Sequence, residues 1–251
     1  MSKIIAIANQ KGGVGKTTTA INLSASLAFK NNRVLIVDFD PQGMATIGLG
    51  KAKEEKNGIY SALMNGHYIM DYIQPTQFDN LYICPCSPEL SGFEPEIYSL
   101  SNRETRLRSA LERIRGLFNF ILIDCPPSLG YLTINALSAA DSVLIPIQCE
   151  FFCMEAISDL FRTLDEVRTF TNPSLLIEGI LLTMYDERTN LAKQVAAEIQ
   201  NNLKGIIYET IIPRTVKLAE APSFGKPILF YDIKSKGTQA YLKLAEELLS
   251  K

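Results

Sequence analysis

The chain carries near its start the stretch Lys11-Gly12-Gly13-Val14-Gly15-Lys16-Thr17-Thr18. It lies between an apolar run at residues 4–8, typical of a buried strand, and a helical pattern at residues 17–29. Glycines let the backbone point its N–H groups at phosphate oxygens, and the positive end of the following helix attracts the same anion. Lys16 can reach the β- and γ-phosphates of a nucleotide, and the Thr17 hydroxyl can coordinate Mg²⁺. The stretch therefore predicts a nucleotide-binding loop formed by residues 11–18.

This loop departs from the general pattern G-x-x-x-x-G-K-[ST] at the first position, which falls at Gln10, whereas the end of the pattern, Gly15-Lys16-Thr17, fits. Lys11 resembles the signature lysine of the deviant Walker A family, KGGxxK[ST], which includes ParA/Soj, MinD, the nitrogenase iron protein and the arsenite-pump ATPase. The resemblance implies that the ligand is ATP. It also implies an ATP-dependent homodimer in which Lys11 reaches the phosphates held by the partner subunit, so that Lys11 and Lys16 are both catalytic.

Apolar runs alternate with helical patterns along the rest of the chain. Near-continuous Ile, Val and Leu content is typical of strands buried on both faces of a parallel sheet. The alternation predicts one doubly wound, mainly parallel α/β sheet with helices on both faces, in a single P-loop domain over residues 1–251. Residues 50–100 are the least regular part, and we expect an insertion or an elaborated loop there. The predicted strands are 4–8, 34–37, 120–123, 143–147 and 176–182, and the predicted helices are 17–29, 103–115, 132–139, 154–169, 191–203 and 235–249.

Aspartates follow two of the predicted strands. Asp38 and Asp40 come after the second strand, and Asp124 comes after the third. Ligands of parallel sheets bind beyond the carboxyl ends of the strands, so we expect these carboxylates to project towards the phosphate-binding loop. Phosphoryl transfer needs groups there that orient water and hold Mg²⁺ through its hydration shell. We therefore predict a Mg²⁺ site formed by Thr17, Asp40 and Asp124, with the aspartates acting through water.

The sequence around these aspartates resembles the ParA/Soj branch of the family. Residues 38–46 read DFDPQGMAT beside the family's D-x-D-P-Q-G-[NM]-A-[ST], and residues 124–128 read DCPPS beside D-x-P-P-S. The resemblance implies that Asp40 positions the attacking water. Further similar segments lie at 145–156, where Ala156 replaces a usual glycine, at 184–191 and at 212–222. The last segment, IPRTVKLAEAP, implies that Pro213 and Arg214 lie near the adenine.

Basic charge is concentrated at the carboxyl-terminal end of the chain. Residues 188–251 hold ten Lys and Arg against six Asp and Glu, a net charge of +4, whereas residues 1–187 hold fifteen against twenty-one, a net charge of −6. Such asymmetry favours a local surface for a polyanion. The ParA/Soj resemblance implies that Arg188 and Lys217 contact double-stranded DNA without sequence preference. Position 217 is more usually arginine in that branch, and lysine keeps the charge without the bidentate fork.

Three functions are compatible with the nucleotide loop. The one we favour is a cytoplasmic, nucleoid-associated partition switch, in which a ParB-type partner stimulates slow ATP hydrolysis. A MinD-like membrane switch requires a carboxyl-terminal amphipathic helix with a basic face, but the last predicted helix contains the acidic pair Glu246-Glu247 and resembles a helix docked on its own domain. An iron–sulfur carrier requires cluster-ligating cysteines between subunits, for which Cys125 is the candidate.

Other sequence features favour the first reading. No apolar run approaches the ~18 residues that span a bilayer, and the start of the chain lacks a secretory pattern. We therefore expect no membrane association. No DNA-binding segment precedes the first strand, so we do not expect binding to a specific operator sequence. The five cysteines and the single histidine, His67, do not form a zinc-binding pattern.

Overall fold

A mainly parallel, seven-stranded β-sheet lies in the middle of the molecule. The structure is a computed structural model that describes residues 2–53, 58–150, 153–203 and 205–251, without the side chains of 153–156, 191 and 200–202. The side chains of Met154 and Glu155, which belong to one of the family-like segments, thus lie outside the described residues. The strands are β1 (Lys3–Ile7), β2 (Val34–Asp38), β3 (Gln74–Pro75), β4 (Leu81–Cys84), β5 (Phe120–Asp124), β6 (Ser142–Gln148) and β7 (Leu176–Thr183).

The strand order is β3-β4-β2-β5-β1-β6-β7, and each neighbouring pair is parallel except β3 with β4. The five strands predicted from the sequence are all present, each within one residue of its predicted ends. The prediction of a doubly wound, mainly parallel sheet is confirmed. Because β1 lies in the interior of this order, the loop that follows it emerges at the middle of the sheet's carboxyl edge.

Helices cover both faces of the sheet. Successive side chains of a strand point to opposite faces: Ile4 and Ala6 enter one hydrophobic cluster, whereas Ile5 and Ile7 enter the other. The first cluster is covered by α3 (Ile59–Asn65), α4 (Phe93–Ile97), α5 (Arg106–Glu112), α6 (Tyr131–Ala139), α7 (Cys153–Phe170) and α8 (Asn190–Asn202). The second is covered by α1 (Lys16–Phe29), α2 (Met44–Gly48), α9 (Val216–Glu220), α10 (Ile228–Tyr231) and α11 (Lys236–Leu249).

Residues 50–100 contribute more to the sheet than we predicted from the sequence. The region supplies β4, which pairs in parallel with β2 from Val34 with Leu81 to Val37 with Cys84. It also supplies β3, α3 and α4. The expectation of an insertion or elaborated loop is therefore wrong for this segment. A four-residue apolar run between turn residues carries too little periodicity to be recognised, and only pairing with β2 makes it a strand.

The helix that we predicted over residues 103–115 is shorter, because α5 covers only Arg106–Glu112. On its amino-terminal side Asn102 adopts a left-handed φ of 56°, and the Thr105 N–H donates to the Asn102 carbonyl at 3.1 Å. These contacts form a turn before the helix. On its carboxyl-terminal side, the Ile114 and Leu117 N–H groups bond three residues back, so the chain tightens out of the α-helical geometry.

The last helix, α11, packs on its own domain as we predicted. Ser235 caps it by accepting a hydrogen bond from the Thr238 N–H at 3.1 Å. Its apolar face is buried in the second cluster, and its Tyr241 hydroxyl bonds to that of Thr19 on α1 at 3.2 Å. Within the described residues, every helix is too short or too polar to cross a membrane.

Candidate nucleotide-binding site

The loop between β1 and α1 wraps the start of that helix. Gly13 and Gly15 adopt left-handed φ values of 74° and 89°, which side chains with a Cβ atom rarely tolerate. Gly15 is the N-cap of α1, and no side chain caps the helix there. The N–H groups of the first turn are therefore available to an anion, as the sequence predicted.

Two polar side chains that the sequence analysis did not single out fix this loop. The Asn9 side chain donates to the Pro146 carbonyl of β6 at 2.8 Å and accepts from the Lys11 N–H at 2.9 Å. The Thr183 hydroxyl, at the end of β7, donates to the Val14 carbonyl at 2.7 Å. The loop is thus held from two neighbouring strands. Only the tertiary structure identifies the contacts with Pro146 and Thr183, because they join residues more than a hundred positions apart.

The Lys16 ammonium lies inside the loop. Its Nζ donates to the Lys11 carbonyl at 3.1 Å, and the residue is buried. Burial lowers the pKa of Lys16, while the negative charges of Asp124 and Asp40 act in the opposite direction. A lysine that is desolvated but close to carboxylates can still pair with phosphate oxygens.

Asp124 lies fully buried at the end of β5, next to the loop. Burial raises the pKa of Asp124 well above its usual range and the charge of Asp38 adds to this, whereas the Thr17 hydroxyl and Lys16 lower it. Neither carboxylate oxygen finds a hydrogen-bond donor of good geometry among the described residues. A divalent cation or its water ligands would satisfy such a carboxylate, and hard oxygen donors suit Mg²⁺. Thr17, Asp40 and Asp124 thus form a donor set that could hold this cation.

Asp38, at the end of β2, and Asp40, just beyond it, have different surroundings. Asp40 lines the cavity beside Lys16, and its carboxylate accepts from the Gln42 N–H at 2.9 Å. Asp38 does not project to the loop as we expected. It is fully buried and accepts from the Thr46 N–H at 2.7 Å and the Thr46 hydroxyl at 2.6 Å. Alternation alone would place residues 38 and 40 on the same face, but β2 ends at Asp38, so Asp40 lies in the turn that follows, while Thr46 of α2 holds the Asp38 carboxylate.

Two adjoining cavities run from the loop to the segment after β7. The first, of about 520 Å³, is lined by the loop glycines, Lys16, Thr17 and Asp40. The second, of about 210 Å³, is lined by Pro213 and Arg214. Both are lined in part by Gly15, Thr18 and Met184. The arrangement suits a ligand with a phosphate end and a flat end, as the sequence predicted for these positions.

The flat end of this site is built by two loops that pair with each other. The Tyr185 N–H donates to the Ile212 carbonyl at 3.0 Å, and the Arg214 N–H donates to the Tyr185 carbonyl at 3.1 Å. Met184, between them and β7, adopts a left-handed φ of 49°. Non-glycine residues in this conformation cluster at ligand sites, where the surrounding structure holds them. Met184 is therefore a further residue of the candidate site.

Lys11 lies in contact with its own subunit. Its ammonium forms an ion pair with the carboxylate of Glu150, which follows β6. Both side chains are partly exposed, at 33% and 45%. The reach across a dimer interface that the resemblance implied for Lys11 would require this ion pair to open.

Arg188 and Lys217, the predicted DNA contacts, lie in neighbouring segments beyond the site. The Arg188 side chain is 86% exposed and makes a bidentate pair with Asp186, at 2.8 and 2.7 Å. This pair lowers the pKa of Asp186 to about 2. Lys217 is half exposed and lies 3.4 Å from a Glu220 carboxylate oxygen. Each cation thus has an acidic neighbour, which the count of charges along the sequence did not reveal.

Cys125, the candidate cluster ligand, is fully buried beside Asp124. Its thiol lies 3.7 Å from the Ile123 carbonyl, and burial raises the pKa of Cys125. Cluster ligation requires a thiolate that can reach the iron. The surroundings of Cys125 therefore favour a structural role over the iron–sulfur alternative.

Taken together, the central loop, the buried aspartate and the two cavities define a P-loop nucleotide-binding protein. A family model described as an AAA domain matches residues 2–177. The chain is 53% identical to the chromosome partitioning protein ParA of Myxococcus xanthus, over all of this chain and 89% of that protein. It is 51% identical to the sporulation initiation inhibitor protein Soj of Bacillus subtilis, over 99% of this chain and 98% of that one. The chain therefore belongs to the ParA/Soj family of chromosome-partitioning proteins.

A solved structure agrees with this fold over nearly the whole chain. Cobyrinic acid a,c-diamide synthase from Mycobacterium smegmatis, with bound ADP and magnesium, has a TM-score of 0.88 and 35% identity. The match covers 99% of this chain and 94% of that one. The element order around the loop is thus shared with a protein that holds a nucleotide and magnesium.

Proposed function

We propose that this protein is a Mg²⁺-dependent ATPase that switches between a monomer and an ATP-bound homodimer during chromosome or plasmid segregation. The ATP dimer binds nucleoid DNA without sequence preference, and a ParB-type partner stimulates slow hydrolysis and release. The observation that carries the proposal is the convergence of Lys16, Thr17 and the fully buried carboxylate of Asp124 at one strand–helix junction.

The side chains divide the chemistry between them. Lys16 and the N–H groups of the loop bind the β- and γ-phosphates, where negative charge moves during phosphoryl transfer. Thr17, Asp40 and Asp124 hold Mg²⁺, which when bound neutralises charge on the phosphate oxygens. Asp40 orients the attacking water, since it lines the same cavity as Lys16. Pro213 and Arg214 hold the adenine end.

Dimer formation follows from charge. In the ATP state, Lys11 of one subunit can pair with the γ-phosphate that its partner holds. This contact is electrostatically stronger than the contact of Lys11 with the partly exposed carboxylate of Glu150 in its own subunit. Hydrolysis removes that phosphate, and Lys11 returns to Glu150. The ion pair at Glu150 thereby supports a reversible switch.

DNA binding follows from pairing two basic surfaces. Arg188 and Lys217 belong to a region with a net charge of +4, but each has an acidic neighbour that weakens its field. A monomer therefore binds weakly, and a dimer that doubles the phosphate contacts binds much more tightly. This couples DNA affinity to the nucleotide state.

The first experiment separates binding from hydrolysis with Asp40→Ala. We expect ATP binding and dimer formation to persist while hydrolysis nearly stops, so the dimer should accumulate in light scattering with ATP but not with ADP. Asp79→Ala, at an exposed position outside the site, is the matched control and should hydrolyse ATP like the parent. A parent-like hydrolysis rate in Asp40→Ala would remove Asp40 from the mechanism.

The second experiment measures DNA affinity with ATP, with ADP and without nucleotide at several salt concentrations. Arg188→Ala and Lys217→Ala should weaken binding to all sequences alike, and each lost phosphate contact should reduce the log–log salt slope by about 0.9. Arg162→Ala is the control, because Arg162 is 71% exposed on α7 and pairs with Asp159 in the same helix. If no nucleotide state binds DNA, the partition function is wrong and a protein or membrane partner replaces it.

A further inference from the structure

A third cavity, of about 260 Å³, lies between α3 and α5 and shares no lining residue with the two cavities of the nucleotide site. We call it the α3–α5 cleft. It is lined by Arg106 at the start of α5 and Arg113 in the turn after it, together with His67 and Ser101. No carboxylate is among the described residues that line it. The cleft is therefore strongly basic although the chain as a whole carries a net charge of −2.

The acidic side chains nearest in sequence do not neutralise these arginines. Glu104 pairs with Arg103 at 2.8 Å, and Glu112 pairs with Arg115 at 2.7 Å. Arg106 and Arg113 instead contact carbonyl and aromatic groups within the part of the chain that the structure describes. Two guanidinium groups that face one small cavity and have no counter-charge among the described residues favour an anion as the missing partner.

Of the two arginines, Arg106 gives the stronger indication of a missing ligand. One of its Nη atoms donates to the Leu63 carbonyl at 2.6 Å, which fixes the guanidinium against the end of α3. Its Nε is buried and has no hydrogen-bond acceptor among the described residues. A buried donor on a charged group is costly to leave unpaired, so an anion in the cleft would stabilise this guanidinium by pairing with its other N–H groups.

Arg113 and His67 are held in place at the other side of the cleft. The Arg113 guanidinium lies 4.7 Å from the centre of the Tyr68 ring, and one Nη lies 3.5 Å from the Gly66 carbonyl. The His67 Nδ1 lies 2.5 Å from the Tyr72 hydroxyl. Each guanidinium uses one N–H in these contacts and has five. Several donors thus remain for a ligand, on side chains that are already positioned.

We propose that the α3–α5 cleft binds a terminal phosphate group of a small ligand, at a site separate from the nucleotide site. Two guanidinium forks match the oxygens of a doubly charged phosphate. A cavity smaller than the ~300 Å³ at which drug-sized pockets begin suits a phosphate with few further atoms. A concave cleft also favours a terminal phosphate over a backbone diester, which approaches a surface with its chain on both sides.

The test uses NMR on the full chain saturated with Mg-ADP, so that the phosphate-binding loop is already occupied. Inorganic phosphate is titrated at about pH 8, where a phosphate group carries close to two negative charges, with potassium chloride at matched ionic strength as the blank. We expect the backbone signals of residues 101–113 and the Arg106 Nε–H signal to shift in a saturable way. Phenyl phosphate should act like inorganic phosphate, and dimethyl phosphate should bind more weakly.

Variants decide whether the arginines bind the ligand. Arg113→Gln should weaken phosphate binding by about tenfold or more, the value of a charge-assisted hydrogen bond. Arg106→Lys keeps the charge but removes the planar guanidinium fork, and it should weaken binding as well. Arg115→Gln is the matched control, because Arg115 pairs with Glu112 and Asp141 outside the cleft. It should bind phosphate like the parent.

Several results would overturn the proposal. Signals that do not move, or that chloride moves equally, would mean that the arginines only hold the carbonyls of α3. Parent-like phosphate affinity in both Arg113→Gln and Arg106→Lys would place the anion elsewhere. Equal affinity for dimethyl phosphate, or saturable shifts with a short DNA duplex, would replace a terminal phosphate with the DNA backbone as the occupant.

Discussion

Lys11 has two possible partners in the proposed cycle, and this structure contains one of them. Its ammonium pairs with Glu150 of the same subunit, and both side chains are partly exposed. Such ion pairs contribute only about 0–1 kcal/mol, since water and salt screen them. The pair is therefore strong enough to place Lys11 in the monomer and weak enough to open when a γ-phosphate competes.

Replacing Glu150 by Gln should release Lys11 without changing the shape of the segment. We expect ATP-driven dimers to form up to about thirtyfold more tightly, since two ion pairs, one in each subunit, no longer have to open. Analytical ultracentrifugation with ATP measures this change, with Glu166→Gln on α7 as a matched control. A weaker dimer in Glu150→Gln would show that Glu150 contributes to the interface instead.

Asp38 shows how burial changes a carboxyl group at this sheet edge. Burial raises its pKa to about 6, although hydrogen bonds from Thr46 act in the opposite direction. The folded state thus holds the proton more tightly than the unfolded state does between about pH 4 and pH 6. Stability from this group is present at low pH and is lost as the pH rises through that window.

Asp38→Asn should remove this pH dependence. In Mg²⁺-free and nucleotide-free protein, we expect the parent to lose roughly 3 kcal/mol of unfolding free energy relative to the variant between about pH 4 and pH 7. Urea unfolding at several pH values measures the difference. If the two proteins keep the same stability difference throughout, ionisation of Asp38 does not limit the parent's stability.

At the scale of elements, β7 acts on the phosphate-binding loop through its last residue. The Thr183 hydroxyl donates to the Val14 carbonyl, and the Thr183 side chain lies next to Gly15. The strand that leads to the cavity at Pro213 and Arg214 therefore also fixes the phosphate-binding loop. In the proposed ATP complex, one element would position both ends of the ligand.

Thr183→Val keeps the shape but leaves the Val14 carbonyl without its donor. We expect a loss of about 1–3 kcal/mol in stability and a weaker affinity for ATP, measured by thermal unfolding and by calorimetric titration. Thr169→Val is the control, since its hydroxyl bonds an exposed carbonyl within α7 at 2.8 Å. Parent-like ATP affinity in Thr183→Val would mean that the loop keeps its conformation without this anchor.

For the whole molecule, the carboxyl-terminal segments close the fold onto its first helix. Tyr241 of α11 bonds Thr19 of α1, and the Asn22 side chain of α1 accepts from the Ile228 N–H at 2.7 Å. Lys30 also pairs with Glu246 at 2.8 Å. These contacts link the two ends of the chain through the helix that begins at the phosphate-binding loop.

That residues 1–251 form a single domain remains a prediction, which calorimetry can check. We expect one unfolding transition that Mg-ATP shifts as a whole to higher temperature, because a ligand that binds only the folded state stabilises every element coupled to its site. Two transitions, of which ATP moves only one, would contradict a single domain.

The sequence by itself determined the nucleotide loop, the five long strands, the family and the identity of the Mg²⁺-binding candidates. Local patterns suffice for these features, since a buried parallel strand and a glycine-rich turn each leave a continuous signature. It did not determine β4, the anchoring of the loop by Asn9 and Thr183, or the ion pair of Lys11. These depend on residues far apart in the chain, and only the packing of the sheet brings their polar groups within hydrogen-bonding distance. The basic α3–α5 cleft also could not be predicted from the sequence. Its positive charge is uncompensated because the nearby carboxylates pair with other arginines, and only the structure shows this pairing.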